Sequence, residues 1–305
     1  RRVPLETGAG SIPPSLRWSL TSMATTGNPL GQPQEKRGDW ASGLGLQPYR
    51  KGMEVLYFPG CVPSYDPRIV HVARATARIM QLARVSFGIL AGKEMCCGET
   101  ARRAGKEDLF VQLSEHNTRL FEESGVTKVV VSSPHCLHAF KNEYPLAAKN
   151  IEVLHISQFL FDLIIEGRLK VHEIGPRRVT YHDPCYLGRY NDVYDEPREV
   201  LRSIPGIELI EMSHHGPGSL CCGGGGGRMW IETKKGERLS DIRIEQAKAT
   251  GADTLVTSCP FCLSMLEDAL STDSSTRAMV VKDIAELLHE ALASNIPSAP
   301  RRLPV

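Results

Sequence analysis

Short, unbroken apolar runs recur along this chain, and each stops at a loop bearing proline, glycine or cysteine. Val55-Leu56-Tyr57-Phe58 ends at Pro59-Gly60-Cys61, and Val129-Val130-Val131 ends at Ser132-Ser133-Pro134-His135-Cys136. Val179-Thr180-Tyr181 runs into His182-Asp183-Pro184-Cys185, and Thr254-Leu255-Val256-Thr257 into Ser258-Cys259-Pro260-Phe261-Cys262. Runs this short and this continuous predict strands of a parallel sheet, buried on both faces and so without alternation. Phe87–Leu90, Ile151–Leu154, Glu208–Ile210 and a segment at Val280 are weaker strand candidates. Between the strands the period changes to that of helices. Ile69, Val72, Ala73, Thr76, Ile79, Met80 and Ala83 share one face behind Pro67. A single long amphipathic helix is expected from about Ala101 to Ser124, stopped by Gly125. Further helices are expected over Ile156–Glu166, from Pro197-Arg198, over Glu237–Ala249 before Gly251, and over Ile284–Leu292.

The pattern occurs twice. Cys61 and Cys185 are 124 residues apart, Cys96 and Cys221 125, and Cys136 and Cys262 126. Offsets this steady, carried by cysteines at matched strand ends, mark an internal repeat. The expected fold is α/β: two pseudo-symmetric repeats with mainly parallel sheets, spanning residues 51–172 and 173–305. Open sheets of this kind bind ligands beyond the carboxyl ends of their strands, where every cysteine loop falls. Residues 1–50 are rich in Gly, Pro and Ser, with only short helical turns expected; they read as an arm wrapping a neighbouring unit or as a linker.

Composition narrows the function classes. The 305 residues are 41% hydrophobic and 23% charged with a formal net charge of +1, an ordinary globular balance. There is no dense basic run with interleaved aromatics, so nothing favours nucleic acid. No stretch reaches the roughly 18 uninterrupted apolar residues of a membrane span, and no signal peptide is visible. The chain begins Arg1-Arg2, which reads as a piece of a longer protein. Nine cysteines, two pairs of them vicinal, fit metal ligation in a reducing compartment better than a disulfide framework.

The chemistry concentrates at Cys221-Cys222, followed by Gly223 to Gly227. Five consecutive glycines cost backbone entropy and imply close approach to something bulky, with N–H groups turned toward negative charge. A phosphate loop is disfavoured, because Arg228 stands at the third glycine position of such a motif. Cys185, Cys221, Cys222, Cys259 and Cys262 form a five-thiolate set, whereas mononuclear zinc takes four ligands, so a polynuclear iron–sulfur assembly fits better. Structural zinc is the alternative. His214-His215 read as metal ligands, proton relays or a solvated loop pair, and His182 as a packing or hydrogen-bonding neighbour of the cysteines. Met229 and Trp230 read as a shield against water or as ordinary packing. Glu99 and Arg228 are candidate proton donors or surface ion-pair partners.

One Cys, then Cys-Cys-Gly, then Cys-x-x-Cys, present twice over residues 50–295, resembles the cysteine-rich (CCG) domain family of heterodisulfide-reductase-related iron–sulfur oxidoreductases. His182-Asp183-Pro184-Cys185-Tyr186-Leu187-Gly188-Arg189 is the most specific part of the match. The resemblance implies a noncubane [4Fe-4S] cluster on the complete second set. The first repeat departs from the pattern: Ser133 replaces a cysteine, leaving Cys61, Cys96, Cys97 and Cys136 for a cubane, a smaller cluster or zinc, with Ser133, His135 or His138 as possible assistants. The implied function is an iron–sulfur oxidoreductase component relaying electrons between a flavoprotein of the electron-transfer-flavoprotein type, or a ferredoxin-type partner, and a quinone-linked membrane partner. Its expected place is cytoplasmic, peripheral on the inner face of the membrane through a partner or a further domain. Disulfide reduction at the noncubane cluster is the alternative within redox chemistry, and a zinc-stabilised scaffold the alternative outside it.

Overall fold

The structure, a computed structural model, describes residues 12–231, 233–234, 237–272 and 279–293. Arg1-Arg2 and residues 294–305 of the expected second unit lie outside these. Two four-stranded sheets are present, each wholly parallel. In the first, β1 (Val55–Phe58) lies between β2 (Phe87–Gly88) and β3 (Lys128–Val131), with β4 (Glu152–His155) outside β3. The second repeats this order with β5 (Arg177–His182) between β6 (Ile207–Leu209) and β7 (Thr254–Thr257), and β8 (Val280–Asp283) outside β7. Leu56 pairs with Gly88 and Val129, and Val179 with Leu209 and Thr254. Every residue of β1 and β7 is buried, which is why both read as unbroken apolar runs.

The helices, in order, are α1 (Pro14–Thr26), α2 (Cys61–Tyr65), α3 (Val70–Leu82), α4 (Glu99–Ala104), α5 (Glu107–Glu123), α6 (Pro134–His138), α7 (Ile156–Ile165), α8 (Gly188–Asn191), α9 (Asp195–Arg202), α10 (Leu239–Ala249), α11 (Pro260–Ser271) and α12 (Ile284–Ala293). The single helix expected over residues 101–124 is two. Gly105 adopts φ 93°, a left-handed turn, and its N–H closes on the carbonyls of Ala101 and Arg102, ending α4 before α5 begins.

The repeats pack through a pseudo-two-fold pair of helix contacts. α3, which follows the first strand of one unit, lies on α12, which follows the last strand of the other; α9 lies on α7 in the same relation. Ala73, Ala77 and Met80 share one core with Ala285, Leu288 and Leu292, and with Phe159, Leu160, Leu163, Val200 and Leu201. Each buried leucine here contributes about 1.5–3 kcal/mol of transfer free energy, so this core joins the two units firmly.

Residues 12–50 hold more regular structure than short turns. Pro14 opens the 13-residue α1, and Gly27 closes it at φ 69°. Leu16, Leu20 and Met23 are buried against the first unit, and a 3-10 segment, Gln34–Ala41, buries Arg37 and Trp40. The segment also extends the sheet edge. Tyr49 N–H donates to the Ile89 carbonyl at 2.9 Å and Ile89 N–H to that of Gln47 at 3.2 Å. A Cβ at Gly88 would stand 2.4 Å from the Tyr49 Cα, so only glycine permits this approach. Among the described residues no helix is long and apolar enough to cross a membrane.

Candidate metal centres

Strand order reverses between β5 and β7, and the second group of cysteines lies at that crevice. Cys185 follows β5, Cys221 and Cys222 lie on the loop after β6, Cys259 caps the N-terminus of α11, and Cys262 is in its first turn. The Cys185 and Cys221 sulfurs are 3.8 Å apart, and the Gly223 N–H donates to Cys221 Sγ at 3.2 Å. One ring nitrogen of His182 and the sulfurs of Cys222 and Cys262 all lie within 4.8 Å of one another. Cys222, Cys259 and Cys262 are buried, while Cys185 and Cys221 are half-buried. The sequence-expected set of five therefore comes together.

Buried charges hold the loops in place. The Asp183 carboxylate takes two bonds from Arg198, at 2.7 and 3.0 Å, and a third from the Gly216 N–H at 2.8 Å. Arg198 also grips Glu211 through two bonds, at 2.7 and 3.0 Å. Asp183 thus ties the turn carrying Cys185 to the loop that leads to Cys221.

The five thiols share their protons unevenly: hydrogen bonding to Cys221 and burial push Cys222 well up, and burial with hydrogen bonds to Cys222 and Cys259 does the same to Cys262. Hydrogen bonds with Cys185 and Cys222, opposed by burial and helped by the Gly223 N–H, hold the Cys221 thiol far below its ordinary value, at about 2. Cys185, sharing that bond and partly buried, is pushed up correspondingly. Burial raises the Cys259 thiol, yet hydrogen bonds with Cys262 and His135 bring it down to about 5. His182 is driven down to about 3 by burial and by the charge of Arg243. Its Nδ1 accepts from Arg243 Nε at 3.1 Å, which leaves the proton on Nε2. That buried Nε2 has no hydrogen-bond partner within the protein, and the residue lies against Cys222 and Cys262.

The first group repeats the layout with four sulfurs. Cys61 opens α2 after β1, Cys96 and Cys97 follow β2, and Cys136 lies in α6 after β3. The Cys136 and Cys97 sulfurs are 3.5 Å apart, and the Gly98 N–H lies 3.5 Å from Cys96 Sγ. Cys61, hydrogen-bonded to Cys96, and Cys97, hydrogen-bonded to Cys136, have their thiols pushed well up with the help of burial. Arg37, fully buried, donates to Cys61 Sγ at 3.3 Å and pairs with Glu94 at 3.2 Å. Ser133 stands at the N-cap of α6, where Cys259 stands in the second unit, and its buried hydroxyl has no hydrogen-bond partner within the protein. The four cysteines, Ser133 and His135 line a narrow cleft with Pro260 and Phe261 of the second repeat.

The remaining candidates divide. Glu99 is buried and pairs with His135 at 3.2 Å; the His135 charge holds it below its ordinary value against the upward push of burial. Arg228 and Met229 line a cleft with Cys222 and Gly223, whereas Trp230 packs on Trp18 at 6.3 Å. His138 lies 3.6 Å from Glu143. His214 and His215 sit exposed on their loop, His215 Nδ1 bonding the Met212 carbonyl at 2.7 Å. Sequence reasoning missed Arg37, Arg198 and Arg243. Each is a lone arginine whose partner is distant in sequence, and only the Asp183 beside Cys185 hinted at a buried cation.

Fold and site together define a duplicated α/β protein with one group of cysteines at the strand ends of each sheet. Residues 55–141 and 179–267 each match the model of the CCG cysteine-rich domain, and the chain belongs to that family. It is 37% identical over 292 residues to the probable iron-sulfur-binding oxidoreductase FadF of Bacillus subtilis, covering 93% of this chain and 41% of that protein. It is 38% identical over 297 residues to the EtfAB:quinone oxidoreductase of Syntrophomonas wolfei, covering 93% and 42%. It is also 38% identical over 245 residues to one component of the dihydromethanophenazine:CoB–CoM heterodisulfide reductase of Methanosarcina mazei, covering 78% and 59%. The chain therefore spans less than two thirds of each of these relatives.

Proposed function

We propose that this chain is the iron–sulfur electron-transfer part of a larger oxidoreductase. The observation that carries the reading is the second cysteine group: five free thiols brought from three loops to one crevice, with His182 and the Gly223 N–H beside them. Soft, negatively charged sulfur with nearby hydrogen-bond donors suits an iron–sulfur cluster, and five thiols exceed the four a structural zinc takes. A cluster bound there supplies reversible one-electron storage. Cys185, Cys221, Cys222, Cys259 and Cys262 hold it, in our reading as a noncubane [4Fe-4S] centre. The Gly223 N–H and His182 take up part of the sulfur charge, and Asp183 with Arg198 fixes the spacing of the loops. In the first repeat Cys61, Cys96, Cys97 and Cys136 hold a four-sulfur centre of another type, because Ser133 keeps its proton where a coordinating thiol would lose it. The name EtfAB:quinone oxidoreductase supports a flavoprotein-type partner on one side and a quinone-linked one on the other; in our reading the latter is a membrane partner through which this part sits peripherally on the cytoplasmic face.

Iron and acid-labile sulfide analysis of anaerobically purified protein tests this reading. Both are expected in several-fold excess over chains; zinc without labile sulfide would overturn it. A second reading, disulfide reduction at the same centre, is favoured by the half-buried edge formed by Cys185 and Cys221, where a substrate sulfur has access. Turnover of a small disulfide with a reduced viologen dye would establish it.

A further inference from the structure

His135 belongs to the first repeat by sequence and to the second by position. It stands between Pro134 and Cys136 at the start of α6, in the turn where the first repeat lacks a cysteine. Its ring is buried and enclosed by all three cysteine loops of the second repeat. Tyr186, next to Cys185, lies against it with ring centroids 4.1 Å apart. Phe261, between Cys259 and Cys262, meets it edge-on at 4.6 Å. Gly225, in the run after Cys222, passes so close that a Cβ there would stand 3.2 Å from the His135 Cε1 and 3.9 Å from Nε2. The other side of the ring is held by the first repeat, where Nδ1 lies 3.2 Å from the Glu99 carboxylate, two residues beyond Cys97.

With Nδ1 beside Glu99, the Cε1–Nε2 edge lies against Gly225, three residues beyond Cys222, and the ring meets Phe261, two residues beyond Cys259. Three contacts fix its plane, so the donor direction is set by packing rather than by a free rotamer. A hydrogen bond into a ligating sulfur disperses its negative charge, which stabilises the more negative, reduced state of a cluster and raises its potential. Burial strengthens the effect by lowering the local dielectric.

We propose that His135 is a positioning residue lent by the first repeat to the second, where it hydrogen-bonds the Cys259 sulfur and sets the reduction potential of the second-repeat centre. On this view the turn that gave up a ligand for its own centre acts on the neighbouring one. Glu99, whose carboxylate lies 3.2 Å from Nδ1, holds that side of the ring in the first repeat and leaves Nε2 on the far side. The inference rests on the proposed iron–sulfur reading of the second group.

The test is a redox titration, followed by the reduced-state spin signal, of the anaerobic protein and two variants. His135→Phe keeps an aromatic ring between Tyr186 and Phe261 but removes the donor, and His135→Gln restores a donor without the ring. Iron and labile sulfide per chain are expected to stay unchanged in both. The midpoint of the second-repeat signal is expected to fall in His135→Phe and to return partway in His135→Gln. An unshifted midpoint in His135→Phe with its cluster intact overturns the proposal. Equal shifts in both variants would assign the effect to packing, and loss of iron from both would make His135 a ligand or a structural residue; either result overturns it too. Absence of iron and sulfide from the unsubstituted protein would instead strike the iron–sulfur reading itself.

Discussion

The hydroxyl of Tyr57 lies 2.7 Å from that of Ser132, joining β1 to the loop that carries Ser133 and Cys136. The bond is repeated 124 residues on, where Tyr181 donates to Ser258 at 3.1 Å, one residue before Cys259. All four residues are buried, so in each repeat a tyrosine on the central strand pins the start of the loop that bears a cysteine group. Removing one partner leaves a buried hydroxyl without its bond, at a cost of about 1–3 kcal/mol. Tyr57→Phe and Tyr181→Phe are each expected to lower the stability measured by urea unfolding by that amount. Tyr57→Phe combined with Ser132→Ala should lose less than the sum of the two single changes.

The first cysteine group should differ from the second because Ser133 stands where Cys259 does. Cys259→Ala is expected to remove the labile sulfide of the second group and leave any first-group signal in place. Ser133→Cys is expected to raise iron per chain or to convert the first-group spin signal toward that of the second. Two identical noncubane signals in the unsubstituted protein would show that the serine is no obstacle.

Arg37 and Glu94 form a buried pair at 3.2 Å. Removing one partner of such a pair costs about 3–5 kcal/mol, because the remaining charge stays buried without compensation. Arg37→Met is therefore expected to unfold at markedly lower denaturant. Arg37→Met with Glu94→Gln should recover much of the loss, since no buried charge is stranded. Chemical denaturation of the unsubstituted protein and both variants measures this, and iron analysis of the double variant shows whether the Arg37 charge is needed at Cys61.

His155 gives a pH dependence of definite sign. It is fully buried, accepts at Nδ1 from the Ser157 N–H at 3.2 Å, and faces the Ser132 carbonyl through Nε2, also at 3.2 Å. Protonating Nδ1 would destroy the cap of α7. Burial, only partly offset by bonds to the Ser132 and Ser258 backbone, drives its value from 6.5 down to about 3. A group depressed on folding contributes its full stability above 6.5 and loses it as pH falls toward 3, at about 1.4 kcal/mol per unit. Between pH 7.5 and 5 the loss should be about 2 kcal/mol. His155→Asn keeps a capping acceptor without this titration, so the difference between its unfolding midpoints at those two pH values should be smaller than in the unsubstituted protein.

Much of this architecture was legible because buried parallel strands write themselves as apolar runs, and because a duplicated cysteine pattern fixes where the loops lie. Val55–Phe58 and Thr254–Thr257 are strands with the expected bounds, and Val129–Val131 lies within β3, which begins one residue earlier. All five second-repeat cysteines meet where the strand order reverses. What sequence could not show are contacts made across long separations by single side chains. His135 read as an assistant of its own repeat's cysteines, whose cleft it does line, but its ring is also seated against Tyr186, Gly225 and Phe261, 51 to 126 residues away. The helix break at Gly105 was hidden by the amphipathic period that continues on both sides of it. Residues 1–50 read equally as a wrapping arm or a linker because they are rich in Gly and Pro, while Leu16, Leu20, Met23 and Trp40 are too few to declare a buried face.

The seating of α1 also orders events in time. Trp18 packs on Trp230, the Ser15 hydroxyl donates to the Trp230 carbonyl, and a Cβ at Gly227 would stand 3.2 Å from the Leu16 side chain. The helix is therefore synthesised long before the surface that receives it. At 5–20 residues per second the interval is on the order of 10–40 s. For that time Leu16 and Trp18 have only part of their seat, and the helix face that carries them waits at the ribosome for its far wall. Fragments that stop before the glycine run would carry that face permanently, so their solubility should suffer more than the loss of a single loop would account for.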